Sequence, residues 1–260
     1  MKFSTTKISA FTIWAIAVIL ISVYLVQNLD EPQSNPSVTI IKAAIIDQLN
    51  DDIPNQYFQD QATQYLTTAG YDVDLYTTKD ITVDFYKELP SKKYDFIVIR
   101  SHSVARGTTE ESASIFTGEI YTESKYIQEQ LLGQIGRAVP FVPSEVEEIG
   151  WEPLVNKTYF VVGSKLVDEL MVGRFLGSVI ILGGCDTASG KLLAKSLLRR
   201  GASEVVGWDG LVGSHGNDRS ILALLEMILL DDVPTSKAVE KVMQEFQPRS
   251  KYSPTLKYYS

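Results

Sequence analysis

The chain has 260 residues, 45% of them hydrophobic and 22% charged, with a formal net charge of −8. That is the composition of an ordinary globular protein with enough apolar material for a sizeable core. Its basic residues form nothing longer than the pairs Lys92-Lys93 and Arg199-Arg200, which argues against a nucleic-acid partner, because phosphate neutralisation supplies most of that affinity. A single cysteine excludes an internal disulfide. One cysteine and two histidines are also too few for a usual Cys/His zinc site, so no metal and no cofactor is expected.

In chain order, residues 8–26 form a nearly unbroken apolar run, long enough as a helix to cross a bilayer core of roughly 30 Å. Lys2 and Lys7 precede it; Asp30 and Glu31 follow it. This asymmetry predicts a single-pass anchor with a cytoplasmic N-terminus and an extracytoplasmic body. A cleaved signal peptide would end in small residues, whereas this run ends Tyr24-Leu25-Val26-Gln27. The anchor is therefore read over 1–27, and a polar tether with Pro32 and Pro36 over 28–37.

The body, read over 38–247, alternates strand and helix patterns. Strands are predicted at 39–46, 71–76, 94–100, 158–162, 179–182 and 204–208. Helices are predicted at 55–69, closed by Gly70, and at 82–89, 165–176, 189–200, 218–230 and 234–246. Residues 103–157 read as a less regular insertion with a helix at about 124–132. Residues 248–260 read as a C-terminal tail. Continuous apolar strands separated by helices predict an α/β domain with a mostly parallel sheet of about six strands, covered on both faces. Sites in such sheets gather at the carboxyl ends of strands.

Two residues with the right chemistry lie at such ends. His102 follows the apolar run Phe96-Ile97-Val98-Ile99, and Cys185 follows Val179-Ile180-Ile181-Leu182 and two glycines. On neighbouring strands they form a nucleophile–base pair. Gly183 and Gly184 allow close backbone approach of a ligand. A helix starting soon after is expected to favour the thiolate, and the Cys185 N–H to help bind an oxyanion. Either residue alone reads as structural; their joint placement points to a site.

The segments FIVIRSHS (96–103) and VIILGGCDT (179–187) resemble the clan CD cysteine peptidases, whose fold is that of caspases. The chain is most similar to CHAT domains, through Gly201-Ala202, Val205-Val206-Gly207-Trp208 and the two helices that follow. The resemblance implies a three-layer caspase-like domain and a cysteine endopeptidase acting on a peptide or protein, which the expected anchor would hold at a membrane. It implies Cys185 as nucleophile, His102 as base and acid, and the N–H groups of Cys185 and Ser103 as the oxyanion hole. Ser103 stands where the family usually has Gly, and Gly184 where Ala is commoner. Asp186 either faces the substrate pocket, favouring a basic residue there, or caps the following helix. His215, in a predicted loop, either lines the same cleft or is solvated. The alternative is a catalytically inactive domain of this fold used for membrane-tethered binding or assembly. A phosphate-binding loop at 184–191 is disfavoured: five residues separate Gly184 from Gly190, and Leu192 replaces the magnesium-binding hydroxyl residue.

Overall fold

Residues 14, 19–24, 40–105, 113–143, 151–153, 157–245 and 253–260 are described by a computed structural model of the chain. The chain divides into two units, Met1–Thr39 and Ile40–Ser260. In the first, Trp14 and residues 19–24 are helical and exposed. No helix among the described residues is long and apolar enough to cross a membrane. The expected anchor over 1–27 and tether over 28–37 lie largely outside the described residues.

The second unit carries, in chain order, β1 (Lys42–Asp47), α1 (Gln56–Thr68), β2 (Asp72–Thr77), α2 (Val83–Glu88), β3 (Phe96–Arg100), β4 (Ser103–Ala105) and β5 (Ala113–Ile120). Next come α3 (Ile127–Leu131), β6 (Ile135–Ala138), β7 (Phe141–Pro143), β8 (Trp151–Pro153), β9 (Tyr159–Gly163) and α4 (Ser164–Glu169). The chain then runs through β10 (Val179–Gly183), α5 (Leu192–Arg199), β11 (Glu204–Asp209), α6 (Ser214–Leu229), α7 (Thr235–Glu245) and β12 (Thr255–Tyr259).

The main sheet has six strands in the order β12-β11-β10-β3-β1-β2. All neighbours are parallel except β11 and β12, which are antiparallel. Alternation along each strand feeds two apolar layers. Ala43 and Ile45 of β1 pack with Phe58 and Leu66 of α1, Leu224 and Leu225 of α6, and Val242 of α7. Ala44 and Ile46 belong to the opposite layer, with Phe85 of α2, Leu166 of α4 and Leu197 of α5. Burial on both faces is why these strands read as continuous apolar runs. The mixed α/β architecture with a largely parallel six-stranded sheet is as expected from the sequence.

Several boundaries differ. The described residues of the 103–157 segment are not irregular: β4, β5 and β6 join β9 in a second, four-stranded antiparallel sheet, and β7 pairs with β8. Strand β9 therefore leaves the main sheet. The expected tail carries β12, whose Leu256 is buried opposite Trp208. The helix expected at 165–176 stops at Glu169, and Gly173 and Gly177 beyond it have positive φ. The helix expected at 189–200 starts only at Leu192, because Gly190 and Lys191 are left-handed. The helix expected from 218 begins at Ser214, which takes His215 out of a loop.

Strand order reverses at β1, with β2 on one side and β3 on the other. Such a switch point opens a crevice beyond the carboxyl ends of the strands.

Candidate functional site at the carboxyl edge of the sheet

Register sets the central geometry. Leu182 pairs with Ile99 and Gly183 with Arg100, and the Ser101 N–H extends the ladder by donating to the Gly183 carbonyl at 2.9 Å. Cys185 and His102 each lie two residues past the Gly183–Arg100 pair, on neighbouring parallel strands. Both line one cleft of about 370 Å³. Its walls include Leu49 and Ile53 from the loop after β1, Phe141 of β7, and Val212, Ser214 and Asn217 around the start of α6.

The floor beneath is a buried ionic network. Arg100 ends β3 fully buried. Its guanidinium donates to both carboxylate oxygens of Asp218, at 2.7 and 2.9 Å, to Asp47 Oδ1 at 2.8 Å and to the Ile53 carbonyl at 2.9 Å. Gln59 of α1 donates to Asp47 Oδ2, and Asn55, the N-cap of α1, to Asp218 Oδ2. Trp208 Nε1 donates to Asn217 Oδ1, and Asn217 Nδ2 to Asp218 Oδ1. The network joins β1, β3, β11, α1 and α6. Removing one partner from such a network leaves a buried charge unpaired and costs about 3–5 kcal/mol. A strand ending Ile-Arg and another ending Ile-Asp was the only sequence sign of it.

The His102 backbone N–H donates to Gln48 Oε1 at 2.9 Å. Its ring meets the Phe116 edge at a centroid distance of 5.8 Å. Its Nε2 faces Asp52 Oδ2 at 3.9 Å. Burial, and then the Arg100 charge, pull the imidazole down to about pKa 4, so it is neutral near pH 7. The Cys185 Sγ–H donates to the Val212 carbonyl at 3.3 Å. Burial pushes the thiol above its ordinary value, and the nearby Asp186 adds in the same direction. The depressed thiol expected from the following helix is not found: α5 begins only at Leu192. Among the described residues no hydrogen bond joins thiol and imidazole; the thiol is bonded to Val212 instead. Both groups are uncharged, the state of a nucleophile–base pair before proton transfer.

Ser103 and Gly184, the two positions that differ from the motif the sequence resembles, touch each other. Ser103 Oγ donates to the Cys185 carbonyl, tying the start of β4 to the Cys185 loop. A Cβ on Gly184 would lie 2.9 Å from that Ser103 oxygen. Both Ser103 and Gly184 line the cleft.

Asp186 and His215, each left open as a pocket residue by the sequence, are elsewhere. Asp186 is left-handed, at φ 57°, and its carboxylate accepts from the Ser189 hydroxyl at 2.9 Å. It is not among the residues lining the cleft; it stabilises the turn ahead of α5. His215, in the first turn of α6, lines a separate groove with Tyr57, Tyr65 and Asn55. Helical periodicity explains this: Ser214 and Asn217 share the face toward Cys185, and His215 falls on another. No cluster of three or more His, Cys, Asp or Glu able to hold a metal occurs among the described residues.

No protein-family model matches the chain, and no curated protein matches it.

Proposed function

We propose that this chain is a membrane-anchored cysteine endopeptidase of the caspase type, with Cys185 as nucleophile and His102 as general base and acid. The observation that carries the reading is the register of β3 and β10, which brings the two residues to equivalent positions on one cleft. The motifs 96–103 and 179–187 and the parallel sheet with helices on both faces support it.

In the proposed reaction a bound peptide displaces the thiol from the Val212 carbonyl. His102 takes the thiol proton as Sγ attacks the scissile carbonyl carbon. The protonated imidazole then gives that proton to the leaving amine, and the C–N bond breaks to leave a thioester. Water, deprotonated by the same imidazole, releases the acid and regenerates the thiol. The Cys185 and Ser103 N–H groups are the donors assigned to the developing oxyanion. A neutral imidazole suits the base role, since only the neutral ring accepts a proton.

A second reading, an inactive domain used for binding or assembly, is favoured by the thiol's bond to Val212 and its raised pKa. A thiol-reactive peptide probe separates the two. The peptidase reading expects covalent labelling of the wild type, none of Cys185→Ala, and labelling of His102→Ala slowed by roughly 10²–10⁴-fold. A wild type that is folded and never labelled, or labelling that survives Cys185→Ala, would leave only the second reading.

A further inference from the structure

The loop between β1 and α1 contacts His102 at two levels. Gln48, fully buried, accepts the His102 backbone N–H through Oε1. Four residues on, Asp52 directs Oδ2 at the imidazole Nε2 across 3.9 Å. The side chains of His102 and Asp52 are only 12% and 11% exposed. Among the described residues neither Nε2 nor Oδ2 has a hydrogen-bond partner. Buried polar atoms are nearly always bonded, so two unpartnered ones facing each other are an acceptor and a donor one short movement apart. A charge-assisted N–H···O bond spans about 2.8 Å; closing this gap takes roughly 1 Å of side-chain motion.

We infer that Asp52 is the positioning residue of His102, holding the imidazole proton on Nε2 so that Nδ1 is free to accept the Cys185 proton. The inference rests on the Cys185–His102 reading of the site. The two ring nitrogens divide the work: the bond made by one decides the role of the other. When the ring takes up the thiol proton, the Asp52 carboxylate faces the resulting imidazolium. Other charges near the pair are Asp51 beside Asp52, Lys157 ahead of β9, and Arg100 below His102. Arg100 is already committed to Asp47 and Asp218. Leu49 and Ile53, which bracket this part of the loop, line the cleft, so an occupant of the cleft touches the loop that carries Asp52.

The test uses the full chain with ¹⁵N-labelled histidine in a His215→Gln background, which leaves His102 as the single imidazole reporter. Its ¹⁵N shifts at neutral pH identify the protonated nitrogen. The expectation is an Nε2-protonated ring with Asp52 present, and the same tautomer in Asp52→Asn, whose amide oxygen still accepts. In Asp52→Leu the tautomer preference is lost. Alkylation of Cys185 by iodoacetamide slows by about tenfold in Asp52→Leu and recovers in large part in Asp52→Asn. A purely structural Asp52 would move stability without moving the tautomer. Asp52→Asn remains informative if Asp52→Leu does not fold, because an Nδ1-protonated ring in Asp52→Asn would itself overturn the inference. Unchanged ¹⁵N shifts in folded Asp52→Leu would also overturn it, even if the peptide probe labels Cys185. Conversely, a tautomer that responds to Asp52 in a protein the peptide probe never labels would uphold the positioning role and remove the peptidase reading.

Discussion

Gly184 is required by close approach rather than by backbone angle. A Cβ there would sit 2.4 Å from the Ser101 carbonyl oxygen, which is backbone and cannot yield cheaply. The same crowding includes Ser103 Oγ, so Gly184 and Ser103 are one packing solution rather than two independent departures. The residue pair was visible in the sequence; the contact was not, because 81 positions separate them. His102 carries a consequence for acid stability. Burial holds its folded value near 4, whereas an unfolded imidazole titrates at about 6.5. Between these values the unfolded chain binds a proton that the folded chain does not, so stability falls as pH drops from about 6.5 to about 4. Asp52, whose carboxyl is raised by burial and by Asp51, acts in the opposite sense. Its contribution is full below the unfolded carboxylate value and is lost as pH rises through the folded one. Denaturant unfolding of the wild type is therefore expected to lose about 1 kcal/mol per pH unit across that window from His102. His102→Gln should remove this slope. A His102→Gln profile as steep as the wild type would show that other groups set the acid limit.

Strands buried on both faces were legible as apolar runs, and the edge strand β2 by its alternation; the short antiparallel strands were not. Strands β1, β3, β10 and β11 are apolar along nearly their whole length because helices cover both sides. Strands β4, β6, β7 and β8 have three or four residues each, too few for a periodic pattern, and the longer β5 is interrupted by polar positions. Thr117 of β5, for instance, is buried yet satisfied by the Phe160 carbonyl at 2.9 Å. Gly118 marks the bulged part of β5; a Cβ there would overlap the Thr78 carbonyl, which is how the second sheet fits beside the turn after β2. Strand β12 reads as Thr-Leu-Lys-Tyr-Tyr, a tail by composition. Only its pairing with β11 gives Leu256 a buried place and brings the Tyr258 hydroxyl to Glu204 at 3.1 Å. Burying one such leucine contributes about 1.5–3 kcal/mol. Deleting residues 255–260 should lower the melting temperature by about 5 °C. It should also promote association through the uncovered edge of β11. A truncated chain that melts and sediments like the full one would show that β12 contributes nothing to the sheet.

At the scale of the whole molecule, the chain divides at residue 39; the apolar run read from the sequence ends at 26 and the tether at 37. The proposed anchor predicts that the full chain pellets with membranes and resists a high-salt wash. A chain beginning at Ile40 should stay in solution with the melting temperature of the intact body. A full chain recovered in the aqueous fraction would eliminate the anchor, since an apolar helix of this length does not leave a bilayer in salt. The sequence alone determined the α/β class, the largely parallel main sheet, and the placement of His102 and Cys185 just past strand ends. All of these follow from local apolar periodicity and its interruption, by Arg100 before His102 and by glycines before Cys185. Only the tertiary structure decided that β3 and β10 are neighbours in register, that β1 supplies the adjoining loop, and that Asp52, Gln48 and Asn217 surround the pair while Asp186 and His215 turn away. Those facts depend on which strands adjoin and which helical face meets the sheet. Residues brought together at a switch point come from segments far apart in the chain, and local pattern carries no record of which loop will lie beside His102.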